Sequence, residues 1–176
     1  MKIVIGLGNP GIGYETTRHN FGFIFLEYME EKYKFKIDKK KFDSQIGEST
    51  INNEKVIFIK PMTFMNLSGE AVQKVKNWYK CEDEDIIVIF DDIDIKFGDC
   101  RYKANGSGGS HNGMKNIVQM LSTENIARIK LGLGNLKYQD QNLSDFVLCR
   151  FSKEEEDKFK EIFVKTEKKL LEFLDK

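Results

Sequence analysis

At 176 residues, with 40% hydrophobic and 32% charged side chains, the chain has the size and composition of one globular domain spanning 1–176. Its first apolar run, residues 3–7, is too short for a membrane span or a signal-peptide core, so a cytoplasmic protein with no membrane partner is expected. Three cysteines in no C-x-x-C arrangement and only two histidines argue for free thiols and against a zinc framework, and a formal net charge of zero excludes nucleic-acid binding by bulk charge alone.

Residues 2–7 form a short β-branched run stopped by glycine, which predicts a buried strand. The glycines of "GLGNPG" match the spacing of a dinucleotide loop, but their context does not. Pro10 removes a backbone N–H that a pyrophosphate would need. The stretch "IGYETTRH" precedes the apolar stripe of the next helical pattern, and no second strand ending in an acid follows. That helix covers residues 19–33, with Phe21, Ile24, Phe25, Tyr28 and Met29 as its apolar stripe. Residues 43–60 predict a hairpin turning at Asn52-Asn53. Ser68 is a suitable cap for a helix reaching Tyr79, with Ala71, Val72, Val75 and Trp78 facing inward. "IIVIF", residues 86–90, is the most apolar strand, and Asp91 ends it. "CRYKA" and "ARIKLGLG" are further strands, separated by the glycine-rich "NGSGGSHNG" and a short helix over 114–121. Ser152 and Glu155 form a capping box for a final helix whose inward residues are Phe159, Ile162, Phe163, Leu170 and Leu174. Alternating strands and helices with a hairpin among them predict an α/β fold, a single mixed β-sheet surrounded by helices.

Among side chains able to do chemistry, His19 is the candidate general base, because neutral imidazole is abundant near neutral pH. A base needs an orienting acceptor, and Asp91 at the end of a buried strand supplies one if that strand lies parallel and next to the first. Asn9, Asn66 and Asn112 each offer an uncharged donor and acceptor, suited to an ester carbonyl or a developing oxyanion. Between Lys96 and Lys137 the bases outnumber the acids to give a balance of +5, a local face for an anionic partner. No serine or cysteine sits in a nucleophile elbow, so histidine-activated water is the simplest hydrolytic chemistry.

Taken together, "IVIGLGNPG", Y-x-x-T-R-H-N-x-G, K-P-x-T-F-M-N-x-S-G, D-D-x-D, G-S-G-G-S-H-N-G-M-K and F-V-L resemble the bacterial peptidyl-tRNA hydrolase family, in order, from Lys2 to about Arg150. The resemblance implies a monomeric enzyme hydrolysing the ester between a peptide and the 3′-terminal ribose of tRNA, which recycles tRNA from prematurely released peptidyl-tRNA. It implies His19 as catalytic base and Asp91 as its stabiliser. Asn9 would distinguish peptidyl-tRNA from unblocked aminoacyl-tRNA, and Tyr14, Phe64, Asn66 and Asn112 would contact the 3′ CCA end or the peptide, with Met65 lining the same cleft. Lys103 and Lys130 fall where the family grips phosphate near the 5′ end of the acceptor stem. No metal or cofactor is expected. The alternative from another class is a non-catalytic tRNA 3′-end binding protein, which gives no reason to pair His19 with Asp91.

Overall fold

Strand alternation sorts the apolar residues into two layers. In β1 (Lys2–Gly6), Val4 joins one buried cluster while Ile3 and Ile5 join the other. In β5 (Ile86–Lys96), Ile87 and Ile89 go with the first, and Ile86, Val88 and Phe90 with the second. The first layer is covered by α1 (Phe21–Tyr33) and α6 (Phe159–Leu174), and the second by α2 (Ser68–Tyr79) and α3 (Asn112–Leu121). Each fully buried aliphatic or aromatic residue contributes about 1.5–3 kcal/mol relative to exposure, so these layers dominate the stability. A computed structural model of the chain describes residues 1–136 and 142–176. Lys137 of the basic segment lies outside the described residues.

The strands form one mixed seven-stranded sheet in the order β2-β3-β4-β1-β5-β7-β6, with β2 (Lys39–Lys41), β3 (Ser44–Ile51), β4 (Glu54–Pro61), β6 (Cys100–Lys103) and β7 (Ala127–Gly134) completing it. The hairpin of β3 and β4 is antiparallel and turns through Asn52 and Asn53, both at positive φ (52° and 65°), as a two-residue primed turn requires. β1 lies parallel to both β4 and β5, which brings the C-terminal ends of β1 and β5 to one edge. That is where an open α/β sheet offers a crevice.

The close approach of α1 to this edge depends on glycine. A Cβ on Gly6 would lie 2.6 Å from the Gly22 carbonyl oxygen, and one on Gly22 would strike the Ile89 carbonyl and the Leu7 backbone. The first glycine of "GLGNPG" therefore serves helix–strand packing. Gly11 stands at φ +110°, which the turn needs.

Four local expectations change. β5 runs on through Asp91 and Asp92 to Lys96, so Asp91 lies inside the strand; regular pairing with β7 shifts register between Asp92 and Lys96. Ser68 is the first residue of α2 and not its cap: its hydroxyl donates to the Met65 carbonyl at 2.8 Å, and Leu67 occupies the cap position. Trp78 is 59% exposed, with its ring beside Phe42 and under the Lys41 ammonium. The Ser152–Glu155 box caps a separate short turn, α5 (Lys153–Glu156), before α6 begins.

Candidate active site

The loop leaving β1 is built around Asn9, which is buried. Its backbone N–H donates to Asn20 Oδ1 at 2.8 Å, and Asn20 Nδ2 donates back to the Asn9 carbonyl at 3.0 Å. Asn9 Oδ1 accepts the Met65 N–H at 2.7 Å. That bond fixes which end of the Asn9 amide is oxygen. Its Nδ2 has no partner among the described residues, and Asn9 lines the cleft.

The segment held by Asn9 is strained. Phe64 adopts φ 65°, ψ 157°, a region nearly reserved for glycine, and costs on the order of 1–3 kcal/mol. The strain turns its ring outward, 51% exposed, edge-on to Tyr14 with centroids 6.2 Å apart. Met65 is buried beneath, and Asn66 is exposed at the cleft.

Asp91 is the centre of the site. It is only 4% exposed and accepts from His19 Nδ1 at 2.9 and 3.1 Å. His111 Nε2 reaches the same carboxylate at 3.1 Å. His111 Nδ1 accepts the Met114 N–H at 3.2 Å, as the cap of α3, so His111 is the Nε2–H tautomer and donates to Asp91. His19 presents its Nδ1–H to Asp91 and leaves Nε2 without a partner among the described residues. Burial alone would raise the Asp91 pKa, but the two imidazoles outweigh it and hold the carboxyl well below the usual range. For His19, burial pulls the pKa down, while the charge and hydrogen bond of Asp91 more than reverse this and leave it above the ordinary imidazole value. His19, Asp91 and His111 also place three potential metal-ligand atoms within 4.8 Å of one another. Those atoms already serve one another as hydrogen-bond donors and acceptor.

The cleft holds about 350 Å³ and brings together Asn9, His19, Phe64, Met65, Asn66, Asp91, Asn112 and Lys130. Asn112, the first residue of α3, is exposed there. Tyr14 is not on the cleft wall; it reaches the site through Phe64. Lys103 is not on the wall either, although it is exposed on the adjoining strand. Its partner in register is Arg128, two residues from Lys130 on the same face of β7. Such diagonal neighbours stand about 7–8 Å apart, within reach of two long side chains. Lys130 lies 3.5 Å from Asp92.

The basic face is smaller than the sequence balance implied. Arg128 is fully buried, and its guanidinium donates to the carbonyls of Ile126, Glu124 and Ser107. It anchors the glycine loop and is not available to an anion. Sequence reasoning missed His111 and Asn20. Both sit in motifs already noticed, G-S-H-N-G and R-H-N, but their roles depend on partners far away in the chain.

The profile for a family described as "Peptidyl-tRNA hydrolase" matches residues 3–176. The chain is 45% identical over 162 residues to a peptidyl-tRNA hydrolase of Clostridium perfringens, covering 92% of this chain and 85% of that one. It is 42% identical over 175 residues to that of Clostridium botulinum, covering 99% and 91%. The crystal structure of peptidyl-tRNA hydrolase from Acinetobacter baumannii superposes with a TM-score of 0.84 at 29% identity, over 99% of this chain and 93% of the other.

Proposed function

The chain belongs to the peptidyl-tRNA hydrolase family and hydrolyses peptidyl-tRNA, and from that premise we propose that neutral His19 is the general base, oriented by Asp91. Its free Nε2 removes a proton from water as the oxygen attacks the ester carbonyl carbon. The resulting oxyanion receives a hydrogen bond from the Asn66 amide. Collapse breaks the bond to the ribose 3′ oxygen, and the His19 imidazolium returns the proton to that oxygen. The products are a peptide carboxylic acid, which ionises, and tRNA. Asp91 keeps His19 in the Nδ1–H tautomer and stabilises the imidazolium between the two steps.

The presence of Asn9, Phe64, Met65, Asn66, Asn112 and Lys130 on the cleft wall supports the remaining roles. The Asn9 amide, anchored through Oδ1, presents Nδ2 to the blocked N-terminal side of the ester and so discriminates against free aminoacyl-tRNA. Phe64, supported by Tyr14, stacks on the 3′ CCA end. Asn112 contacts the same end, and Met65 forms the floor. Lys103 and Lys130 meet phosphates of the acceptor stem, which positions the tRNA without reading its sequence. The protein acts as a single-domain monomer in the cytoplasm and needs no metal or cofactor.

The observation that carries this reading is the His19–Asp91 pair, its carboxylate buried and its outer nitrogen, Nε2, unengaged among the described residues. The test is His19→Ala, assayed on an N-blocked aminoacyl-tRNA. A fall in kcat of about 10²–10⁴-fold is expected for loss of a general base. Undiminished turnover would remove His19 from the mechanism.

A further inference from the structure

Immediately before His19 stands an arginine that does not line the cleft. Arg18 is buried. Its guanidinium carbon lies 4.6 Å from the centre of the Phe146 ring and 5.9 Å from that of Phe151. Its Nη2 donates to both oxygens of Glu155, at 3.0 and 3.4 Å. Its Nε is buried with no acceptor among the described residues. Leaving one donor of a buried guanidinium unsatisfied costs free energy, so the stacking and the ion pair must outweigh it.

The partners of Arg18 show what this arrangement holds. Phe146 is the buried residue of α4 (Leu143–Val147), and the Leu143, Ser144 and Val147 of that helix line the cleft. The backbone N–H of Arg18 donates to the Cys149 carbonyl, and the Phe151 N–H donates to the Thr16 carbonyl. Thr17 and Arg150 form an antiparallel bridge between those bonds. The segment that delivers His19 and the segment leaving α4 are thus one short ladder. Arg18 closes it from the side, using a Glu155 carboxylate that also accepts the Ser152 N–H. By contrast, the His19 ring is set by Asp91 from β5, a route that does not pass through Arg18.

We propose that Arg18 is a positioning residue that fixes the α4 wall of the cleft relative to His19, so that substrate affinity depends on it while proton transfer does not. The proposal rests on His19 as the base, and its test separates the two. The experiment is steady-state kinetics on N-blocked aminoacyl-tRNA with Arg18→Met, Arg18→Lys and Glu155→Gln. Arg18→Met keeps an apolar stem over Phe146 but loses the plane and the charge. It should raise KM roughly tenfold, the scale of one charge-assisted hydrogen bond, with kcat changed less than about twofold and the pH dependence of kcat unmoved. Arg18→Lys keeps the charge for Glu155 and should recover part of the loss. Glu155→Gln should raise KM in the same direction by a smaller factor. An unchanged KM in Arg18→Met, or a fall in kcat without a rise in KM, overturns the proposal. If Arg18→Met does not fold, an unchanged KM in Glu155→Gln overturns it alone. Failure of the base assignment appears elsewhere, as retained turnover in His19→Ala, and leaves the KM readings of these variants interpretable.

Discussion

The Asp91 carboxylate accepts from two imidazoles that both line the cleft, and only His19 keeps a ring nitrogen without a partner among the described residues. The consequence is a sign for the pH dependence. With His19 as the proposed base its working form is neutral, and its pKa is raised above the ordinary value of 6.5. Activity should therefore rise with pH through a midpoint above 6.5 and level off once His19 is neutral. In Asp91→Asn the influence of the anion is gone and burial still acts, so the midpoint should move down. The new amide can also offer an N–H to His19 Nδ1, which selects the unproductive tautomer, so kcat should fall by about 10²–10⁴-fold. A kcat–pH profile of both proteins checks this; an Asp91→Asn midpoint at or above that of the parent contradicts it. The His19–Asp91 partnership was legible in the sequence, because a carboxylate on a buried strand and a histidine after the first strand converge if the two strands are parallel neighbours. His111 was not. Its tautomer is set by a local cap bond from the Met114 N–H, but its bond to Asp91 joins the start of α3 to β5, which no local pattern reports.

Among the elements, α1 shows why boundaries and faces are harder to read than periodicity. Its stripe is real, with Phe21, Phe25 and Met29 buried, yet Phe23 and Leu26 are buried too, because the helix is pressed onto β1 and β5 through Gly6 and Gly22. Gly22→Ala should therefore destabilise the protein, although alanine is the better helix former. Overpacking at such a contact costs about 1–3 kcal/mol, read as a lowered denaturant midpoint at unchanged m-value. It should also lower kcat, since α1 continues directly from the turn carrying His19. Trp78 misled for the opposite reason. It sits three residues after Val75 on the same stripe, but there the helix meets Phe42 and Lys41 of the β2 side, which leave most of the indole in water. Likewise Ser152 and Glu155 do make their box, but the chain turns again before α6, which a box four residues long has no means of signalling.

Over the whole molecule, a net charge of zero hides an uneven surface. Lys103 and Lys130 lie diagonally across β6 and β7 beside the cleft, while Arg128 between them is spent on backbone carbonyls. Composition revealed the concentration of bases but had no way to separate the buried cation from the exposed ones. Replacing Lys103 and Lys130 together with glutamine should weaken binding of tRNA and flatten log K against log salt by roughly 1.4–1.8, the counterions of two phosphates. An identical slope in a salt titration would exclude the pair from the interface. The fold class and the mixed sheet were legible, because period-two alternation and the hairpin turn are local signals, whereas the edge that carries the cleft rested on an assumed pairing of β1 with β5. Strand order was not legible, and it bears on how the chain comes to exist. β1 precedes every strand it pairs with: Ile3 waits for Ile57 on one side and for Ile86 on the other. During synthesis this apolar strand has no hydrogen-bonding neighbour until β4 is made, and its second flank stays open until β5. A hydrolase that acts on peptides still attached to tRNA thus passes through a long interval, as such a peptide itself, with the centre of its sheet exposed.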